Sequence, residues 1–140
     1  MLERLTGLPD LVEGVRAAGK VSKEDYERVF EPLLEEARRA GRRVFLLYEI
    51  GPGFEGFTPG AAWEDAKLGM RFMKLFEGCA VVSDVLWIRD LTRAFGFLMP
   101  CPVRVFDSAG RSAAIEWLAS LARDRTPRPP RGAPEVVAVP

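Results

Sequence analysis

The sequence predicts an α/β fold: one domain with a mixed, mainly parallel sheet of about five strands, covered by four helices. Three observations carry this. Short apolar runs alternate with single amphipathic helical patterns, in the order β-β-α-β-α-β-α-β-α. Single helices between strands favour parallel pairing, with the helices laid over the sheet. The 140 residues suit one domain, and a composition of 48% hydrophobic and 29% charged residues is that of a globular chain.

The elements follow from local signals. "LVEGVRAAG" (11–19) reads as a strand paired with residues 2–5. Ser22, with Asp25 three residues on, forms a capping box. The first helix then runs to about Ala40, with Tyr26, Val29, Phe30, Leu33, Leu34 and Ala37 on one stripe, and Gly41 stops it. "RVFLLYEI" (43–50) is a strand buried on both faces. Thr58 and Pro59 supply a cap and a first-turn proline for a second helix reaching about Phe76. "CAVVS" (79–83) is a buried strand, a third helix spans about 85–98 before Pro100, and "VRVF" (103–106) is the last strand. Asp107 or Ser108 caps a fourth helix ending near Arg123. The domain therefore covers 1–123. The tail, 124–140, holds five of the eleven prolines and is expected to be disordered. Within it, "RPPRGAP" suits a polyproline helix and "VVAV" a sheet edge, but linker-like disorder is the preferred reading.

Composition excludes several functions. Lys plus Arg equals Asp plus Glu, at 20 each, so no bulk field points to nucleic acid. There is no histidine, the commonest general base and metal ligand. Cys79 and Cys101 match no zinc or redox spacing, and Cys79 reads as a small buried hydrophobe in a reduced, cytosolic setting. Charges come too early in "MLERLTGLPD" for a signal peptide, and no apolar run approaches the ~20 residues that span a bilayer. Glu49, Glu55, Glu64 and Asp65 cluster near one loop. Glu64 and Asp65 are adjacent and so diverge on a helix, and the group reads as solvated surface rather than a carboxylate pair. Ser83 and Ser108 sit at helix starts and read as caps. No catalytic set, no metal and no cofactor is expected.

The stretch "GPGFEG" (51–56) spells G-x-G-x-x-G after an apolar strand. A dinucleotide site needs the helix to begin inside the motif, whereas Phe57 and Thr58 precede Pro59 here, and Pro52 lacks an amide donor. The preferred reading is a flexible connection whose glycines supply positive φ. Phe54 and Phe57 in this loop either fold back on the domain or meet something apolar.

The second helix carries two apolar sectors. Ala62, Trp63, Ala66, Gly69, Met70, Met73 and Phe76 form one, the natural core face. Ala61, Leu68, Phe72 and Leu75 form the other, with Lys67, Arg71 and Lys74 between them. On the third helix, Trp87, Ile88, Leu91, Phe95, Leu98 and Met99 share a stripe, and Leu86 and Phe97 fall roughly opposite, beside Arg93. Two readings stand for the surplus surface. It packs on the third helix or a dimer partner, or it serves an apolar ligand or a membrane with anionic headgroups.

Three blocks, "GKVSKEDYERVFEPLLEEA", "FEGFTPGAAWEDAKLGMRFMKLFEGCAVVSD" and "WIRDLTRAFGFLMPCPVRVF", resemble the SpoIIAA-like proteins, a bacterial branch related to STAS domains and compared with a lipid-binding fold. The resemblance runs from about Leu2 to Leu118 and is most specific in "FEGFTPGAAWEDAKLG". It implies a single STAS-like, non-enzymatic domain, with apolar ligand binding and membrane association through the second and third helices. The related anti-sigma-factor antagonists carry a phosphorylatable serine where the second helix starts. Here Thr58 is the only hydroxyl between Glu49 and Val82, and it looks like a cap.

The leading expectation is a cytoplasmic binding domain for an apolar or lipid-like molecule, with peripheral contact to the inner face of an anionic membrane. Phe54, Phe57, Leu68, Phe72, Leu75, Leu86 and Phe97 are the expected contact residues, flanked by Lys67, Arg71, Lys74 and Arg93. Leu68, Phe72 and Leu75 are expected at a cavity or patch rather than in the core. The alternative is a regulatory domain that binds a protein partner, with Thr58 as the one available phosphorylation site. A homodimer is open in either case.

Overall fold

In the computed structural model, which describes residues 1–96 and 99–125, five strands form one sheet in the order β1-β2-β4-β6-β7. β1 (Leu2–Arg4) runs antiparallel to β2 (Val12–Ala17), with Leu2 opposite Ala17. β4 (Val44–Ile50), β6 (Phe76–Val82) and β7 (Val103–Phe106) follow in parallel. A small parallel pair joins β3 (Lys20–Val21) to β5 (Gly56–Phe57). The mixed five-stranded sheet and four helices are those expected from the sequence. The tail beyond Arg125, and Phe97 and Leu98 with it, lie outside the described residues.

The first helix, α1, is continuous through three stretches: Lys23–Asp25, Tyr26–Phe30 and Glu31–Arg39. Its capping box forms as expected: the Asp25 amide donates to Ser22 Oγ at 3.3 Å, and Asp25 Oδ2 accepts from the Ser22 amide at 2.8 Å. The middle stretch is π-wound, a feature that often marks functional positions. α1 ends where Gly41 takes a left-handed φ of 68° and the Arg42 amide returns to the Ala37 carbonyl.

β4 is apolar on both faces because both are covered. Val44, Leu46 and Ile50 join one core with α1, while Phe45 and Leu47 join a second core with Ala114, Leu118 and Ala122 of α4 (Arg111–Arg125). α4 thus covers one face alone. α1, α2 (Pro59–Arg71) and α3 (Leu86–Phe95) belong to the other face.

The glycine stretch is a connector, but a tied one. Gly53 and Gly56 adopt positive φ of 80° and 134°. The Gly51 amide donates to Ala17, that of Glu55 to Gly19 and that of Thr58 to Val21, and Gly56–Phe57 forms the strand β5. α2 starts only at Pro59, with the Ala61 amide bonded to Thr58 Oγ1 at 3.0 Å.

The orientation of α2 reverses the expected one. Leu68 and Phe72 are each 2% exposed in the core and Ala61 is fully buried, whereas Trp63 and Met70 are 67% and 73% exposed. α2 also closes at Arg71; a short turn, Met73–Leu75, follows, and Phe76 opens β6 rather than ending the helix. Helical spacing shows which residues share a face, but not which of two apolar faces meets the core. Packing on α1 chooses the Ala61, Leu68 and Phe72 face. Nothing in "RFMKLF" breaks a helix by composition, so its end was not legible either.

Candidate functional site

Turning α2 this way leaves small side chains over the sheet, and a cleft of about 730 Å³ opens beneath them. Its floor comes from Leu46, Tyr48 and Ile50 of β4 with Cys79 and Val81 of β6. Tyr26 and Phe30, at the ends of the π-wound stretch, close one wall. Ala62, Asp65 and Gly69 of α2 and Trp87, Ile88 and Leu91 of α3 form the others. A methyl group at Gly69 would meet nothing within 4 Å, so the space is set by the absence of a side chain there. Ile88 is buried while Trp87 and Leu91 are exposed, so the cleft runs from the core to solvent. Its size and mainly apolar lining are those of small-molecule sites.

The polar groups in this lining are few. The Tyr26 and Tyr48 hydroxyls lie 2.6 Å apart. The Tyr26 hydroxyl also interacts with the Asp65 carboxyl, which accepts from it. Asp65 lines the cleft and is exposed. Burial raises its pKa above the usual carboxylate value, against the opposing effect of the Tyr26 hydrogen bond. Burial, then the neighbouring tyrosine and carboxylate, holds Tyr26 protonated; burial and Asp65 do the same for Tyr48. The Cys79 thiol is pushed up to about 12, by burial first and then by Cys101 and Asp65, and a thiol there is a poor nucleophile. Protonated tyrosine hydroxyls beside a carboxyl group suit binding and orientation.

The expected contact residues separate into three groups. Phe57 lines the cleft, its ring 5.1 Å from that of Phe54 and 6.5 Å from Trp87, so the loop aromatics both fold back and meet the apolar space. Leu86 is 73% exposed at the start of α3. Leu68 and Phe72 are corrected to core residues, with Leu75 half-buried against the same core, because the α1 contact claims their face of α2. Phe97 lies outside the described residues.

The basic strip is largely engaged. Arg71 pairs with Glu31 and Glu35 of α1 at 2.9 and 3.1 Å, and Lys67 lies 3.5 Å from Glu64. Arg93 sits 3.9 Å from Asp90 within α3, and Lys74 is exposed. Of these four, Arg71 alone ties α2 to α1.

The acidic cluster is only in part the solvated surface its sequence suggested: Glu55 and Asp65 are exposed, Glu64 and Glu49 are not. Glu64 is 5% exposed and faces the core, Glu49 accepts from Arg16 and Arg111, and Asp65 faces the cleft. Asp65 was readable: it falls three residues after Ala62 and four before Gly69, a carboxylate on the stripe of small apolar residues. Tyr26 and Tyr48 carried no such signal, since each reads as an ordinary core aromatic. Among the described residues no group of three or more His, Cys, Asp or Glu could hold a metal, and no helix is long and apolar enough to cross a membrane.

Comparison with known proteins matches residues 12–119 to the family model described as SpoIIAA-like. No curated protein matches. Among solved structures, an uncharacterized protein of the DUF3478 family from Shewanella loihica PV-4, described as having a SpoIIAA-like fold, superposes with a TM-score of 0.67 at 27% identity. The match covers 84% of this chain and 92% of that one. The fold is that of a generic regulatory or binding domain.

Proposed function

The chain belongs to the SpoIIAA-like family, and from that premise we propose that it is a non-enzymatic domain that binds an apolar or amphiphilic small molecule in the cleft beneath α2 and α3. One observation carries the reading: about 730 Å³ of mainly apolar space, open to solvent, over a sheet that is otherwise closely covered. Burying a chain of methylenes there yields roughly 0.8 kcal/mol for each CH₂ removed from water. Trp63 and Met70 on α2 and Leu86, Trp87 and Leu91 on α3 are exposed apolar side chains beside the cleft. They favour peripheral contact with a lipid surface from which such a molecule is taken.

The test is Gly69→Leu, whose Cβ meets nothing within 4 Å and whose side chain obstructs the cleft that Gly69 lines. The expected result is that the wild type copurifies with an amphiphile, detected by mass spectrometry after solvent extraction, and that the variant does not. Equal recovery from both proteins contradicts the reading.

A second reading, a regulatory domain recognising a protein partner, is favoured by the family itself, whose domains generally interact with protein partners. Thr58, the α2 cap, is its candidate switch, since added phosphate oxygens at a helix N-terminus find amide donors. A stable partner in a pull-down, altered by Thr58→Glu, supports it over the small-molecule reading.

A further inference from the structure

The cleft has a polar end of one sign. We propose that it selects amphiphiles with a protonated amine head, bound by the Asp65 carboxylate and the Tyr26–Tyr48 hydroxyl pair with aromatic rings around it. The inference rests on the small-molecule reading above and specifies its ligand class.

Three features converge. Among the described residues no Lys or Arg forms an ion pair with the Asp65 carboxyl, which lines the cleft with Tyr26 and Tyr48. A carboxylate at the wall of an apolar cleft, with no protein cation beside it, is a partner in waiting for a ligand cation. Secondly, the Tyr26 and Tyr48 hydroxyls, 2.6 Å apart and either able to donate to the other, lie beside Asp65 in the same lining and offer lone pairs to an ammonium. Thirdly, Tyr26, Phe30, Tyr48, Phe57, Phe76 and Trp87 bring six aromatic residues into the lining, the surroundings in which alkylammonium heads are held by cation–π attraction.

The other charges of the lining do not reverse this. Lys20 and Glu55 both belong to the small sheet region, where Lys20 is the register partner of Gly56 and the Glu55 amide bonds Gly19. Lys20 and Glu55 carry opposite charges, and Asp65 leaves the lining net negative. The anionic head expected from the basic strip of α2 is thereby disfavoured in the cleft, since Lys67, Arg71 and Lys74 are not in its lining and Arg71 pairs with α1 instead.

The experiment compares dodecylamine, dodecanol and dodecanoate at neutral pH, below their micellar concentrations, by calorimetric titration of the delipidated protein. Wild type, Asp65→Asn and Gly69→Leu are titrated in parallel. The expected result is that the wild type binds dodecylamine at least about tenfold more tightly than dodecanoate, a difference of about 1.4 kcal/mol. Asp65→Asn loses that preference while retaining dodecanol, which shows that it is folded and its cleft open. Gly69→Leu loses all three. Equal or tighter binding of dodecanoate by the wild type overturns the amine assignment and leaves the cleft reading intact. No binding of any of the three by the wild type overturns the cleft reading, and the amine assignment falls with it.

Discussion

Leu68 and Gly69 are consecutive on α2, yet Leu68 is buried in the core and Gly69 lines the cleft. The boundary between what holds the protein together and what it can bind passes between these two residues. Leu68→Ala should therefore cost about 2–5 kcal/mol in chemical denaturation, as buried leucines do. Gly69→Leu should leave stability unchanged or raise it by about 0.5–1 kcal/mol through helix propensity, while abolishing ligand uptake. Destabilisation by Gly69→Leu comparable to that by Leu68→Ala would place the core boundary elsewhere.

Phe72 tests the orientation of α2 on its own. Its ring is buried under the Arg71 guanidinium, whose centre lies 4.8 Å from the ring centroid. Phe72→Ala should cost about 3–5 kcal/mol, read from the urea midpoint. A loss below about 1 kcal/mol would restore the outward orientation first read from the sequence.

Trp63 and Met70 should behave in the opposite way. Both are exposed, so Trp63→Ser with Met70→Ser should change stability by only about 0.5 kcal/mol or less per site. If the exposed apolar side chains meet lipid, cosedimentation with vesicles falls in the double variant. Undiminished cosedimentation removes these residues from any membrane surface.

Asp25 gives the fold a pH dependence of known sign. Burial opposes its ionisation, but the Ser22 amide, Arg28 and the Ser22 hydroxyl outweigh it and bring the carboxyl from 3.8 to about 2. A lowered folded pKa contributes stability above the unfolded value and loses it as pH falls through the folded one. The deficit of Asp25→Asn relative to wild type should be full above about pH 4 and shrink toward about pH 2, measured by denaturation across that range. A deficit constant with pH would show that the capping box acts without the charge.

The glycine loop should bind no nucleotide. Pro52 has no amide hydrogen, and the amides of Gly51, Glu55 and Thr58 are engaged by backbone carbonyls. Titration with NAD, ATP and FAD should show no saturable binding; a micromolar affinity for any of them contradicts this.

Much of the fold was legible because local chemistry and tertiary structure agree. The Ser22 box, the Thr58 cap, Gly41 and the doubly apolar β4 each specify one local answer, and the tertiary structure keeps it. The site was less legible because it depends on which face of α2 turns inward. Ala61, Leu68 and Phe72 differ from Ala62, Trp63 and Met70 by a choice of partner, and no spacing encodes that choice. The excess of apolar surface on α2 and α3 was a real signal, but the residues assigned to each role were exchanged. Asp65 was passed over because an acidic neighbour of Glu64 reads as solvated until the cleft is seen.

The central claim is that the space under α2 and α3 holds the apolar part of a ligand. Amide chemical-shift mapping of the delipidated protein with dodecanol tests it most directly, because a neutral probe does not depend on Asp65. The account predicts saturable shifts centred on Tyr26, Gly69, Trp87 and Ile88, absent from Gly69→Leu. Shifts confined to the outer face at Trp63 and Met70, or no saturable shifts at all, would contradict it.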